Sequence, residues 1–310
     1  MTIKKKCYPF LTILFLYFFF ISESALAAQL FSAEFSFDAG YRVDNLDWNI
    51  AGDASGANPN ILSELAWKDL ETFQLKAGTK LHILERIYVR GSFQGGLIMA
   101  GGVRDSDYLG DNRTIEFSRS DNGVDNGTLW DASAGVGVAT AIPFIGGRLE
   151  IAPLIGYSYH KQNLTLTDGF QTIPLSGPFP GLNSVYRARW MGPWFGTDLS
   201  FMFEKIVFNG TFEYHLADYL GVGDWNLRSD FQHPRSFEHR ADGSGVLLSA
   251  SLQYLFADGW SADAGFEYQD WQTDVGVDRT YFSNGTIMDT QINEVNWNSL
   301  YVTVGVNYAF

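Results

Sequence analysis

The last ten residues of the chain alternate between two kinds of side chain. One kind is small or polar and the other is large and apolar, the two sets being Tyr301, Thr303, Gly305, Asn307, Ala309 and Val302, Val304, Val306, Tyr308, Phe310. Because successive side chains of a β-strand point to opposite faces, the pattern predicts a strand with one wet and one greasy face. Such a strand suits a sheet that separates lipid from a polar interior.

The same alternation recurs along the whole chain after its first thirty residues. With the final strand it gives ten segments: Leu30–Arg42, Glu71–His82, Tyr88–Gly102, Thr128–Ala141, Leu149–Gln162, Val185–Phe203, Ile206–Ala217, Gly245–Phe256, Ser261–Thr273 and Val295–Phe310. An even number of such strands is typical of closed antiparallel barrels in outer membranes. We therefore predict an all-β, ten-stranded transmembrane barrel.

The connections between these segments alternate in length, as a barrel requires. Short connections predict periplasmic turns at Leu84-Glu85, Pro143–Gly146, Glu204-Lys205 and Ala257–Gly259. Long polar connections predict extracellular loops at about residues 43–62, 104–126, 163–184, 218–244 and 274–294. A soluble β-sandwich is the alternative, but Gly, Ser, Asn and Gln are too common on the predicted inner face for a dry core.

Aromatic residues cluster near the predicted strand ends. Because a ring with a polar tip suits the boundary between lipid and water, we expect a set of them at the membrane interface: Trp67, Tyr157, Tyr159, Trp190, Trp194 and Trp271.

The first 28 residues have the pattern of an export signal. Lys4, Lys5 and Lys6 precede the apolar run from Phe10 to Ile21, and small residues follow at Ala25-Leu26-Ala27. We expect cleavage there, which leaves residues 29–310 as a single barrel domain in the cell outer membrane. The one cysteine, Cys7, would leave with the signal, which excludes disulfides and thiolate chemistry from the mature chain.

The chain is acidic, with a formal net charge of −14. This charge argues against nucleic acid as a partner and favours cationic ones, such as a cationic peptide or a host or surface protein. No calcium-loop or zinc spacing is present, so we predict no metal site and no cofactor.

One long stretch carries a family resemblance. Tyr186–Gly196, followed by Gly210–Tyr214, is similar in residues and spacing to the sixth and seventh strands of the omptins, and the terminal Phe310 resembles the assembly signal of outer-membrane barrels. Omptins are ten-stranded outer-membrane endoproteases, so the resemblance implies that fold and location. In general style the chain also resembles porin-type barrels of chlamydia-related bacteria.

The omptin resemblance implies a catalytic site, and the sequence departs from it at one position. Asp105 and Asp107 match the family's aspartate pair, and Asp224 matches the aspartate of its Asp-x-His motif, but Asn226 stands where the histidine is expected. An amide cannot accept a proton near neutral pH, whereas hydrolysis by water needs a general base. Loss of a positioned base typically costs about 10²–10⁴-fold in rate.

Two substitutes for the missing base stay open. His215, His233 or His239 can replace it if one of them approaches the aspartates. Alternatively, Asp105 and Asp107 can act alone if their closeness raises one of the two pKa values, because like charges at short range resist double ionisation.

The resemblance also implies a lipopolysaccharide clamp on the outer wall. Tyr157, Lys161 and Arg189 match three of its four positions, and cationic side chains at headgroup level can bind lipid phosphates. Plain interfacial snorkelling of the two cations is the alternative. Outer-membrane lipid is accordingly an expected partner.

Three functions follow from these residues. The first is a non-proteolytic barrel that presents acidic extracellular loops for surface binding, which the missing histidine favours. The second is an endopeptidase that cleaves near basic residues, favoured by the three retained aspartates. The third is a small channel, although a ten-stranded barrel fills its interior with side chains. The oligomeric state stays open.

Overall fold

The computed structural model describes residues 31–84 and 86–310, so the predicted export signal lies outside the described residues. Every regular element of this part is a strand, and no helix in it is long and apolar enough to span a bilayer. The strands are β1 (Phe31–Ile50), β2 (Ser63–Ile83), β3 (Ile87–Gly110), β4 (Thr114–Gly123), β5 (Thr128–Val138), β6 (Thr140–Phe144), β7 (Gly147–Ile173), β8 (Gly177–Pro178), β9 (Ser184–Phe203), β10 (Ile206–Asp224), β11 (Phe237–Ala257), β12 (Trp260–Thr273), β13 (Gly276–Tyr281) and β14 (Ile287–Ala309).

These strands form a closed antiparallel ring with ten positions, and we call each position a stave. β4, β5 and β6 follow one another along the fourth stave, β12 and β13 along the ninth, and the short β8 belongs to a loop beside β7. The ring closes where β1 pairs with β14 from Glu34↔Ala309 to Ile50↔Ile292. The predicted ten-stranded barrel is confirmed, and closure leaves no unpaired edge.

The lower half of the barrel has an apolar outer face. On β14 the exposed side chains are Leu300, Val302, Val304 and Val306, as the terminal alternation predicts. The same band of exposed apolar residues runs round the other staves, and tight turns close it below, with Ile145 and Glu204 in the left-handed region at φ values of 46° and 54°. This band is the membrane-spanning part of the barrel.

The strands continue well beyond this band, which corrects the predicted loop bounds. Residues 43–50 and most of residues 104–126 are strand, so the non-strand connections there shrink to 51–62, 111–113 and 124–127. In the other three predicted loops, 163–173, 218–224, 237–244, 276–281 and 287–294 are strand as well. Above the membrane the strands also carry apolar side chains on their inner face, as Leu46 and Leu65, both fully buried, show. These extensions were not predicted, because the alternation was interpreted only with apolar residues on the outer, lipid-facing side of each strand.

A layer of aromatic side chains fills the lumen of this upper half. Its members are Trp48, Trp67, Tyr186, Trp190, Tyr219, Phe237, Trp271 and Trp297. The prediction that Trp67, Trp190, Trp194 and Trp271 lie at the membrane interface was therefore wrong, because each of them points inward and is at most 2 % exposed. Tyr157 and Tyr159 do lie on the outer face, Tyr159 stacked on Trp130 at a centroid distance of 4.7 Å.

A layer of ion pairs lies directly below the aromatic layer. Arg42 is fully buried and lies 2.8 Å from Asp44 and 2.7 Å from Asp131. Arg90 bridges Asp198 and Glu213 at 3.0 and 2.5 Å. Charges buried this deeply are tolerated only when paired and hydrogen-bonded, so the network holds the facing strands of the lumen in one arrangement.

Candidate binding site at the extracellular mouth

Asp105 and Asp107 face the interior of the mouth, near the outer end of β3. Asp105 pairs in register with the buried Leu65 of β2 and with Ser120 of β4, and Asp107 pairs with Ser63 and Ser118. Two residues apart on one strand, the two carboxylates share a face, as the sequence predicts. Both lie beyond Met99, where the lipid-facing row of β3 ends, and thus outside the membrane.

The environment of the two aspartates favours a shared proton. Burial raises the pKa of Asp105 and the negative charge of Asp107 raises it further, while the positive charge of Arg228 opposes the rise. Burial also raises the pKa of Asp107, against the lowering effect of the Ser63 and Ser118 hydroxyls. Like charges at short range resist double ionisation, so near neutral pH the pair carries less than its full two negative charges.

Arg228 is the cation whose charge acts on this pair, and it is not among the residues predicted from the sequence. It lies in the connection between β10 and β11, and its guanidinium is held 2.9 and 2.8 Å from the two carboxylate oxygens of Asp230. The ring of Phe231 supports it from one side, 4.0 Å from the guanidinium carbon. An isolated arginine in a long loop gives no sequence signal of this placement.

Asp224 has acquired a histidine partner, although it is not the expected one. His233 Nδ1 lies 2.7 Å from Asp224 Oδ1. Asp224 pairs with Val185 of β9. The residues on either side of Val185, Ser184 and Tyr186, are buried, so Val185 and Asp224 lie on the opposite face. Gly223, next to Asp224, abuts the Phe237 ring inside the core. Asp224 therefore points away from the core, and the imidazole lies with it.

Asn226 joins two extracellular connections. Its side-chain oxygen accepts hydrogen bonds from the backbone nitrogen of Asn183 at 2.9 Å and the Ser184 hydroxyl at 3.1 Å, and its amide nitrogen donates to Gly181 at 2.7 Å. Gly181 and Asn183 belong to the connection before β9, and Ser184 is the first residue of that strand. The amide at the position of the expected histidine is thus fully used in holding one loop against another.

The other two candidate histidines are buried in the lumen. His215 lies in the ionic layer, 2.8 Å from Glu213 and 3.0 Å from the Ser158 hydroxyl. His239 lies in the aromatic layer, where Nδ1 is 2.8 Å from Tyr186 and Nε2 is 3.3 Å from Asp278. Both are at most 1 % exposed. Each is committed to its own network rather than free to move to the mouth.

Lys161 and Arg189 are direct neighbours on the outer wall. They pair across β7 and β9, and both lie just above the exposed Tyr157. Arg189 pairs with Leu220 of β10, and Leu220 pairs with Arg240 of β11. Lys161, Arg189 and Arg240 therefore lie along one row of the sheet. Arg189 also lies 3.5 Å from Asp218. The register thus brings the three predicted lipid-binding residues together and adds Arg240.

No group of three or more His, Cys, Asp or Glu side chains in residues 31–84 and 86–310 has the geometry of a metal site.

A closed ring of ten antiparallel strands, an apolar belt and a polar extension with an acidic mouth define an outer-membrane β-barrel protein. The family described as Protochlamydia outer membrane protein matches residues 36–310, and the chain belongs to it. Comparison with curated proteins gives no match.

The fold is similar to that of a solved omptin. The outer membrane protease OmpT from Escherichia coli superposes with a TM-score of 0.71 at 14 % identity, covering 90 % of this chain and 97 % of that one. A Pseudomonas aeruginosa FadL homologue and the Ralstonia pickettii toluene transporter TbuX each cover 90 % of both chains at 10 % identity, with TM-scores of 0.27 and 0.28. The omptin likeness therefore holds for the fold, at an identity too low to transfer chemistry.

Proposed function

We propose that this barrel binds a cationic ligand, such as a basic peptide segment, at its extracellular mouth and does not hydrolyse it. The observation that carries the proposal is the Asp105 and Asp107 pair on one face of β3, buried enough to raise both pKa values, with the positive charge of Arg228 opposing the rise. A pair of partly buried carboxylates attracts a guanidinium or ammonium group from a ligand. Arg228 then acts as a placeholder that an incoming basic side chain displaces.

The surroundings of the aspartate pair favour binding over catalysis. A water nucleophile needs a base within hydrogen-bond reach of it. Asn226 is tied to the connection before β9, His233 accompanies the outward-pointing Asp224, and His215 and His239 are buried in the lumen. An arginine beside the aspartates cannot accept a proton.

The experiment measures binding and cleavage of one peptide together. A fluorescein-labelled dibasic peptide is titrated with refolded protein in detergent, anisotropy reports binding, and mass spectrometry of the same sample reports cleavage. We expect Asp107→Asn to weaken binding by about tenfold, in line with the loss of one charge-assisted hydrogen bond. Arg228→Ala should tighten binding, because it removes the internal competitor.

Asp274→Asn is the matched control, since it removes an exposed carboxylate from the break between β12 and β13. Equal affinity of Asp107→Asn and Asp274→Asn would show that general acidity, and not this pair, attracts the peptide. Unchanged binding by Arg228→Ala would contradict the placeholder role.

A second candidate function is hydrolysis by the aspartates alone. The raised pKa of Asp105 beside Asp107 favours it, because a pair that shares one proton can supply both an acid and a base. Cleavage of the peptide that disappears in Asp105→Ala would establish this endopeptidase and reject pure binding. An intact peptide after prolonged incubation supports binding alone.

We also propose that the outer wall binds lipopolysaccharide. The adjacency of Lys161 and Arg189, with Tyr157 below and Arg240 along the same row, supports it. Bidentate contact by arginine suits a lipid phosphate. Replacing both Lys161 and Arg189 by glutamine should abolish co-purification of lipid phosphate with the refolded barrel. Replacing Lys68 and Arg104, two exposed cations on other staves, should not.

A further inference from the structure

Two carboxylates converge across the seam where the barrel closes. Asp38 of β1 pairs in register with Gly305 of β14, and Gly305 pairs with Asp263 of β12. A Cβ atom on residue 305 would overlap Asp38 Oδ1 and lie 2.9 Å from Asp263 Oδ1. The glycine thus leaves open the space into which both carboxylates point, inside the lumen of the membrane-spanning half.

Within residues 31–84 and 86–310, Asp38 makes no direct contact with a cation, although Lys76 and Lys80 line the same cavity. Its residue exposure is 8 %, and it makes no hydrogen bond or ion pair with any side chain of the described part of the chain. Lys76, its neighbour across β1 and β2, turns its ammonium to Glu267 at 2.7 Å. A buried carboxylate without a partner is costly, and a second carboxylate next to it adds repulsion.

The pair lines a cavity of about 190 Å³ in the lumen. Neutral oxygens flank it: Ser36 and Asn307 occupy the register row below, and Thr303 the row above. Asn307 already donates an amide hydrogen bond to Asp263 at 2.8 Å. Two carboxylates, neutral oxygens and room for water form the donor set that a hard divalent cation takes.

We propose that Asp38 and Asp263 bind a divalent cation, Mg²⁺ or Ca²⁺, that joins β1 to β12 across β14. The ion neutralises both charges and retains water molecules within the cavity, as Mg²⁺ commonly does when only one or two carboxylates bind it. Since its ligands lie on both sides of the β1–β14 seam, bound cation stabilises the closed ring against opening.

The test uses refolded full-length barrel, stripped with EDTA and free of lipopolysaccharide, which binds divalent cations itself. Isothermal titration with MgCl₂ or CaCl₂ reports binding, and the heat-induced shift in gel mobility reports unfolding. We expect one saturable site and a higher unfolding temperature with cation. Asp38→Asn should weaken binding at least tenfold. Gly305→Ala should do the same by filling the space between the two carboxylates.

Asp258→Asn is the control, since it removes an exposed carboxylate from the turn between β11 and β12. Terbium luminescence of the unaltered barrel, displaced by Ca²⁺, gives a second measurement that needs no variant. Absence of saturable binding in both measurements overturns the proposal. The proposal is also overturned if added cations leave the unfolding temperature unchanged, while lowering the pH from 7 to 5 raises it in the unaltered barrel but not in Asp38→Asn. That result would assign a shared proton to the pair.

Discussion

The indole nitrogen of Trp297 donates a 2.8 Å hydrogen bond to Asp44 Oδ1, the same carboxylate that pairs with Arg42. This contact joins the aromatic layer of the lumen to the ionic layer below it. Arg42 also lies 5.6 Å from the Trp297 ring centre, so the two layers share one set of side chains. A substitution in either layer should therefore also disturb the packing of the other.

Replacing Asp44 by asparagine tests this connection. The change leaves the Arg42 guanidinium buried with one of its two carboxylates, and breaking a buried pair costs about 3–5 kcal/mol. We expect a loss of this size in the free energy of unfolding, measured by urea titration in detergent. Asp258→Asn, at an exposed turn, should change it by less than about 0.5 kcal/mol. Equal effects of the two variants would contradict the role of the ionic layer.

Replacing Trp271 by alanine tests the aromatic layer. Trp271 stacks on Trp297 at a centroid distance of 5.4 Å and is 1 % exposed, so its removal leaves a cavity. Large-to-small changes of this kind cost about 3–5 kcal/mol. Trp260, 46 % exposed at the lower rim, provides the matched tryptophan, and its replacement should cost clearly less in the same unfolding titration.

The aspartate pair predicts a specific pH dependence of stability. Burial and the charge of Asp107 raise the pKa of Asp105 from its usual value of 3.8 to about 8, so the folded protein binds this proton more tightly than the unfolded chain does. The stabilisation is fully present below the unfolded pKa, and it is lost as pH rises through about 8. Asp105→Asn should remove this loss, so unfolding temperatures measured from pH 5 to pH 9 should fall less steeply than in the unaltered chain.

Asn226 predicts the outcome of an attempt to restore the family histidine. Its side chain binds Asn183, Ser184 and Gly181, so Asn226→His breaks contacts between two connections and does not bring a base to the aspartates. We expect no gain in peptide cleavage and faster trypsin cutting at Arg228, since the loop loses its anchor. Cleavage of the dibasic peptide by Asn226→His would instead show that the imidazole reaches the pair.

The packed lumen predicts an impermeable barrel. Trp190, Trp271 and Trp297 are each at most 1 % exposed, and the ion pairs of Arg42 lie beneath them. Small barrels whose interiors are filled in this way do not form open pores. Planar bilayers containing the refolded protein should show no conductance steps, and liposomes should not swell in sugar solution. Regular steps would revive the channel hypothesis.

Much of the barrel is readable from the sequence, because lipid imposes a simple rule on each strand. Val302, Val304 and Val306 face lipid as their alternation predicts, and the turns at Glu204 and Gly259 fall where expected. These features depend on local pattern alone.

The mouth is less predictable, because its contacts join residues far apart in the chain. The charge of Arg228 acts on Asp105 and Asp107 from a connection more than a hundred residues away in the chain, and no periodicity marks it. His233 partners Asp224 through a loop that folds back on itself. The buried Arg42 is equally hidden, since a lone arginine on an inner face has the same sequence pattern whether paired or solvated.

The boundary between the two halves of the barrel can be located on β14. On β14 the apolar side chains lie inside at Val295 and Trp297 and outside from Leu300 onward, although the pairing with β1 stays regular between these points. The apolar side chains thus change from the inner to the outer face of β14, and this slip of the pattern needs no inserted residue in the backbone. Wherever this slip occurs in a related sequence, it marks the height at which the chain leaves the bilayer, so the depth of a barrel can be read from its primary structure.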